Sequence, residues 1–295
     1  MTKRPKISVV IVTYQSENHI AACLRSLLGE LKNTDYQITI IDNHSFDGTR
    51  QRLNEFEEND AVYLLLNNQN LGFTRALNQG LATAEGEFIL TLNPDTVLQP
   101  GCLQALVQSL RENPHVGVVA PQLLYADHSV QPSCRRFPKP RDILFNLTGL
   151  SNLFSKSRLF NGWKMGDFKH DSRRSVQQPQ GAFLLFKRKI LQDVGLWDES
   201  FPMFFSDVDW CKRVKEHGAE IVFEPVAKVI HSKGASVAMA PARMIWSSHR
   251  SFYRYFKKHQ QGRRFLNEIL GAVLVVSAFI RMAGTILVRM VAKVK

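Results

Sequence analysis

The feature that most constrains this chain is the alternation, over its first 120 residues, of short β-branched apolar runs with helical stripes. Ile7-Ser8-Val9-Val10-Ile11-Val12 reads as a central strand with Thr13-Tyr14-Gln15-Ser16 as the loop at its tip. Ile20, Cys23, Leu24, Leu27, Leu28 and Leu31 then fall on one helical face. Ile38–Ile41 and Val62–Leu66 repeat the strand, followed by a polar helix to about Asn59 and a helix through Ala84. Phe88–Leu92, a helix from Gly101 to Glu112 and Val116–Ala120 continue the series. Such a period implies right-handed crossovers and a parallel sheet, with ligands held at the carboxyl ends of the strands.

The strand tips carry the polar residues. Ile41 is followed by Asp42-Asn43-His44-Ser45-Phe46-Asp47-Gly48-Thr49, more acid and amide than a turn needs. The fourth strand closes in Asn93-Pro94-Asp95, where a stiff proline presents two oxygen ligands suited to a hard divalent cation such as Mg²⁺ or Mn²⁺. The same tripeptide is also a good turn and helix-cap sequence. From Leu123 to Gln178 the pattern dissolves into an Arg/Lys-rich segment with Arg135-Arg136-Phe137-Pro138-Lys139-Pro140, expected to be a long functional or disordered loop. Order resumes at Gln180–Phe186. Asp207 and Asp209 then stand at the start of a helix, where a plain N-cap would also place an acid. A short strand, Glu220 to Val226, leads to His231-Ser232-Lys233-Gly234-Ala235-Ser236.

Of the net charge of +12, the stretch Arg243–Lys295 holds eleven Lys/Arg against the single acid Glu268, so the region before it is nearly neutral. Four widely spaced cysteines (Cys23, Cys102, Cys134, Cys211) match neither zinc nor redox spacing, and no signal-peptide pattern precedes Ile7. A reduced cytosolic compartment is the expectation.

In order, Thr13-Tyr14, Asp42-Asn43 with Asp47-Gly48, Asn70-Leu71-Gly72-Phe73 with Asn78-Gln79-Gly80, Leu92-Asn93-Pro94-Asp95, Gly181-Ala182, Gly195–Glu199, Ser206-Asp207-Val208-Asp209 and His231-x-x-Gly234-x-Ser236 are specific as a series. Over Ile7–Ser236 the chain resembles family 2 glycosyltransferases of the GT-A fold, most of all the rhamnosyltransferase-type branch. The resemblance implies an α/β fold: a Rossmann-like mixed sheet flanked by helices, with a nucleotide-sugar-binding half (1–121) and an acceptor-binding half (122–236). It implies that Thr13, Tyr14, Asp42, Asn70, Gly72, Arg75, Asn78 and Asn93 hold the nucleotide-sugar donor. Asp42 would accept the N3–H of uracil or thymine, a donor group cytosine lacks, which suits a UDP- or dTDP-sugar. Asp95 matches the last acid of the family's metal-binding Asp-x-Asp motif, Asn93 replaces the first, and His231 matches a histidine of the metal or diphosphate site. Asp207 matches the general base of inverting members, with Asp209 in reserve.

The chemistry needs these groups. An acceptor hydroxyl must lose a proton as it attacks the anomeric carbon, and the departing diphosphate gathers charge that a divalent ion or positive groups offset. The expected activity is inverting transfer of a sugar, rhamnose by resemblance alone, to a lipid-linked or cell-surface glycan acceptor. A non-catalytic nucleotide-sugar-binding scaffold of the same fold is the alternative. A nucleotidyltransferase is disfavoured because no Gly-rich phosphate loop follows the first strand.

Residues 237–295 form the expected basic, amphipathic helical tail. Met244–His259 interleaves aromatics with Arg250, Arg254, Lys257 and Lys258, and the uncharged Ile269–Ile280 is too short to span a bilayer. The expectation is a helix lying on an anionic membrane surface, at the cytoplasmic face of the inner (plasma) membrane, against a core-packing helix as the bland reading and a spanning helix with Arg281 snorkelling as a third. No recognition module for nucleic acid accompanies the charge.

Overall fold

The computed structural model describes residues 5–232, 241–260 and 264–294, with backbone alone for 241, 264 and 285–294. Gly234 and Ser236 of the last motif lie outside the described residues.

Four parallel strands, β1 (Ile7–Thr13), β2 (Tyr36–Asp42), β3 (Val62–Leu66) and β4 (Phe88–Leu92), stand in the order β3-β2-β1-β4. Every residue of β1 is buried, and its alternation divides the core. Ile7, Val9 and Ile11 pack with α1 (Ile20–Leu31) on one face. Val10 and Val12 pack on the other with the helix Phe73–Leu81. Between β2 and β3 the expected long helix is a short α2 (Thr49–Leu53) with one 3₁₀ turn, so the helix Phe73–Leu81 is α3.

The sheet continues as a mixed one. After β4 come β5 (Thr96–Leu98), α4 (Cys102–Glu112) and β6 (Val116–Leu124). The hairpin strand β7 (Val130–Gln131) and β8 (Cys134–Arg135) follow, then α5 (Pro140–Leu147), α6 (Leu150–Leu153), β9 (Arg174–Ser175) and β10 (Gln178–Pro179). The segment expected to be an unstructured loop is thus folded, and β8 pairs with β10 in a small second sheet. β11 (Phe183–Lys187) enters antiparallel between β4 and β6. The sheet is thus mixed, as the resemblance implies, because this strand arrives through the long insert and not through a helical crossover. After α7 (Arg188–Val194) and α8 (Ser206–Glu216), β12 (Glu220–His231) runs parallel to β6 and pairs antiparallel with β5 at the edge. β12 does not stop at Val226 as its sequence suggested. A register shift between Glu224 and Lys228 absorbs Pro225, which has no N–H for the ladder, and pairing resumes to His231.

The C-terminal segment forms α9 (Pro241–His259) and α10 (Arg264–Val294), and it is not a detached tail over its described part. Tyr255 and Phe256 of α9 and Leu270 and Leu274 of α10 are buried with Ile143, Phe201, Phe205 and Val208 in a third apolar cluster. The opposite side of α10, including Phe265, Leu266, Ile269, Val273, Val276 and Ile280, is exposed. Phe265–Gly284 is long and apolar enough, by length and composition, to cross a membrane, although Ile269–Ile280 alone is too short.

Candidate active site

The tips of β1, β2 and β3 hold a closed polar network. Asp42, fully buried, accepts from Thr13 Oγ1 at 3.3 Å through one oxygen. Its other oxygen accepts from the Ser45 amide at 3.1 Å and from Arg50 Nε at 2.7 Å. Asn43 links Asn67 and Asn70: its carbonyl accepts from Asn67 Nδ2 and the Leu71 amide, and its amide donates to Asn70 Oδ1 at 3.0 Å. Asn70 Oδ1 in turn accepts from the Gly72 amide, holding the entry to α3. Gly72 has φ of +86°, and a Cβ there would meet the Pro202 carbonyl at 3.2 Å, so this turn admits glycine for both reasons. Arg75 is exposed on the first turn of α3. Tyr14 stands edge-on to the exposed Phe46 at 6.3 Å, an aromatic rim that the sequence reading did not single out. Arg50 was also missed, since an arginine in a surface helix carries no signal that it folds back on a strand-tip acid.

β5 and β12 bring together the residues expected to hold a metal. Thr96 and His231 are register partners, the Ser232 amide donates to the Asp95 carbonyl, and His231 Nε2 lies 3.5 Å from Asp95 Oδ1. Gln131 Nε2 donates to the His231 carbonyl, which fixes its amide, so its Oε1 accepts from His231 Nδ1 at 2.7 Å. In the neutral imidazole that leaves the Nε2 lone pair facing a carboxylate oxygen, an arrangement relieved by a proton or a cation between them. Asn93 sits at the end of β4, its amide donating to the Ala182 carbonyl. The donor set therefore fits a divalent ion that draws its remaining ligands from a diphosphate. Among the described residues no group of three or more His, Cys, Asp and Glu side chains could hold one unaided.

Asp207 lies in the first turn of α8. Its Oδ2 accepts from the Gly181 amide at 3.0 Å and Gln178 Nε2 at 3.1 Å, and its Oδ1 accepts from the Val208 amide. A Cβ on Gly181 would sit 2.9 Å from Asp207 Cβ, so the Gly181-Ala182 motif is the floor of this acid. Burial pushes the Asp207 carboxyl above its ordinary range, against the pull of those amides.

Two of the expected site residues are turned inward. Asp209 is fully buried, ion-paired with Arg213 (2.9 Å) and Lys258 (2.7 Å) and hydrogen-bonded to His259 (2.8 Å). Burial alone would raise its pKa, but hydrogen bonds from His259, Lys258 and Arg213 pull it down to about 2. With both oxygens held by cations, Asp209 fastens α9 to α8 and is poorly built to take a proton. Asn78 likewise spans between helix and loop: its amide donates to the Trp197 carbonyl and Glu199, and its carbonyl accepts from the Trp197 amide. It braces the Gly195–Glu199 motif and reaches the donor site only through that packing.

Comparison with known proteins gives the family and the fold. Residues 8–194 match the glycosyl transferase family 2 model. An N-acetylglucosaminyl-diphospho-decaprenol L-rhamnosyltransferase of Mycobacterium tuberculosis is 29% identical over 270 residues, covering 87% of this chain and 85% of its own. A poly-beta-1,6-N-acetyl-D-glucosamine synthase of Staphylococcus epidermidis is 24% identical over 75% of this chain, which spans 48% of that protein. Among solved structures, the mannosyltransferase PcManGT from Pyrobaculum calidifontis, in complex with GDP-Man and Mn²⁺, superposes with a TM-score of 0.54 at 18% identity over 100% of this chain and 82% of its own. GalNAc-T7 with UDP, GalNAc and Mn²⁺ gives 0.57 at 14% identity, covering 78% of this chain and 43% of that one. The fold is that of the GT-A glycosyltransferases, and the chain is a glycosyltransferase belonging to family 2.

Proposed function

We propose that this glycosyltransferase moves a sugar, rhamnose being the first candidate, from a UDP- or dTDP-sugar to a hydroxyl of a lipid-linked glycan, with inversion. The observation that carries the reading is the pairing of Asp95 with His231 together with Asp207 on the Gly181 floor, next to Ala182, whose carbonyl accepts from the Asn93 amide. Asp42 would receive the base: its Oδ1 has only the long bond from Thr13 and can accept the N3–H of uracil or thymine. Tyr14 and Phe46 would border the base, and Arg75 at the α3 entry would face the anionic donor.

Asp95 and His231, with Asn93 beside them, would hold a divalent cation, which when bound offsets charge on the leaving diphosphate. Gln131 keeps the Nε2 of His231 available for that task. Asp207 would take the proton of the attacking hydroxyl, and its burial raises its basicity toward that of a useful general base. The amides of Gly181 and Gln178 hold the carboxylate in one orientation. Single displacement with one base is consistent with inversion.

The rhamnosyltransferase relative supports a lipid-linked acceptor, and the exposed apolar side of α10 supports a protein lying at a membrane surface, at its cytoplasmic face where nucleotide sugars are found. Incubation with a panel of radiolabelled nucleotide sugars and a membrane lipid extract tests the reading. We expect label in the lipid fraction and release of a nucleoside diphosphate with one donor; release with none of them would leave a binding scaffold.

A further inference from the structure

Two cations in the acceptor half are partly withdrawn from water without an acid to answer them. Arg135, at the end of β8, gives Nη1 to the Cys134 carbonyl at 2.8 Å and the Lys164 carbonyl at 3.5 Å. Lys164 gives Nζ to the Asn146 carbonyl oxygen at 3.2 Å. Neither has a carboxylate in ion-pairing range among the described residues. Burial lowers the pKa of both, and for Lys164 the nearby charges of Arg135 and Arg281 lower it further. Like charges gathered in a half-buried site cost stability unless an anion joins them.

The surroundings say what kind of anion. Arg135 is the strand-register partner of Gln178, whose side-chain amide donates to Asp207, so β8 and β10 tie this cation pair to the element that holds the candidate base. Their chain neighbours Arg136 and Trp163 line a cleft of about 380 Å³ with Arg141, Arg158 and Leu159. Trp163 also carries a buried indole N–H with no partner among the described residues. Asp167 already answers Arg136 and Arg158, at 3.0 and 3.4 Å, and Arg141 is exposed, so Arg135 and Lys164 are the partly buried cations here without an acid among the described residues. Exposed apolar side chains lie nearby: Leu144, Leu153, Phe154 and Leu159 are exposed on and just after the α5–α6 insert, and Arg281 brings the inward face of α10 close to Lys164.

We propose that Arg135 and Lys164 bind the diphosphate of a lipid-linked acceptor, whose hydrocarbon chain runs out between the α5–α6 insert and α10. The inference rests on the sugar-transfer reading for its biological sense, though not for its test. An anion placed here, with its first sugar reaching past Gln178, would bring a sugar hydroxyl to Asp207. The insert then acts as a second membrane contact beside α10.

The test is calorimetric titration of the full-length protein with farnesyl diphosphate, farnesol and inorganic pyrophosphate, in Mg²⁺ and a saturating mixture of UDP and dTDP. We expect farnesyl diphosphate to bind despite the nucleotides, and farnesol and pyrophosphate to bind at least about tenfold more weakly, since each lacks half of the recognised chemistry. Arg135→Gln and Lys164→Gln should each weaken farnesyl diphosphate about tenfold, the scale of one charge-assisted hydrogen bond, while Lys164→Arg retains it. Equal binding of pyrophosphate would mean a free-anion site, and displacement by UDP or dTDP would mean the donor site. Either overturns the proposal even if the glutamine variants fail to fold, and so does unchanged affinity in both folded variants. Farnesyl diphosphate binding of the expected kind in a protein that transfers no sugar would support this site while sinking the transferase reading.

Discussion

Along the tips of β1 to β3 the polar side chains satisfy one another: Thr13, Ser45 and Arg50 on Asp42, and Asn43 between Asn67 and Asn70. Across β11, between β8 and α8, they do not. Arg135 and Lys164 meet only neutral oxygens, and the Trp163 indole N–H meets nothing among the described residues. On the proposed reading, the first region is a donor framework preorganised before any ligand arrives, and the second is an acceptor region that keeps charge in reserve. The same contrast recurs within one helical turn. Asp207 faces amides and keeps a raised pKa, whereas Asp209 two residues on is neutralised by three basic side chains.

The sharpest break of that contrast is substitution of the two acids. Asp207→Asn should cut kcat about 10³-fold, the range of general-base loss, with nucleotide affinity within about twofold by calorimetry; near wild-type turnover would move the base elsewhere. Asp209→Ala should instead cost about 3–5 kcal/mol of stability in urea unfolding, as expected when one partner leaves a buried ion-pair cluster. A fall in kcat without destabilisation would give Asp209 a chemical role after all.

Asp95→Ala should cost about 10² in kcat/KM and shift the divalent-ion requirement upward, against less than tenfold for Asn93→Ala, because only the carboxylate supplies charge. Equal losses would remove the division of labour between them.

The two α8 acids also part in pH. Because the folded pKa of Asp209 lies below its unfolded value, its stabilisation is fully present above about pH 4 and is lost as pH falls toward about 2, a slope that Asp209→Asn should flatten in acid unfolding. The raised pKa of Asp207 should place the acid limb of kcat/KM above the ordinary carboxylate range, activity rising with pH. An acid limb at or below that range would detach it from Asp207.

The smallest effect concerns the membrane. Removing 262–295 would delete Leu270 and Leu274 and uncover their partners Tyr255 and Phe256, so truncation confounds binding with packing. Val276→Asp with Ile280→Asp, both on the exposed side, should abolish sedimentation with anionic liposomes while changing unfolding by less than about 0.5 kcal/mol, as for surface positions. Retained sedimentation would point to the α5–α6 insert as the sole anchor.

Much of this was legible in order along the chain. The β-branched run of β1 and the spacing of Ile20 to Leu31 predict their own burial, because a strand and a helix each write a period into the residues that face the core. The polar strand tips, rich in acids and amides, form one hydrogen-bonded network there, through Asp42, Asn43 and Asn70. The insert from Leu123 to Gln178 was not legible, since its strands are two residues long and are fixed by pairing between β8 and β10, 43 residues apart at Arg135 and Gln178. Arg50, Gln131 and Gln178 were missed for the same reason: each acts on a partner from another element, and nothing in its neighbours marks it.

What the sequence determined by itself was the fold class and the family, because these follow from local periodicity and from motifs in fixed order. Only the tertiary structure decided which of the candidate acids are neutralised by ion pairs and which face amides. Packing α9 against α8 brings Lys258 and His259 onto Asp209, and pairing β5 with β12 brings His231 to Asp95. Charges interact through space, over a few ångströms, between residues that lie 50 and 136 positions apart in the chain.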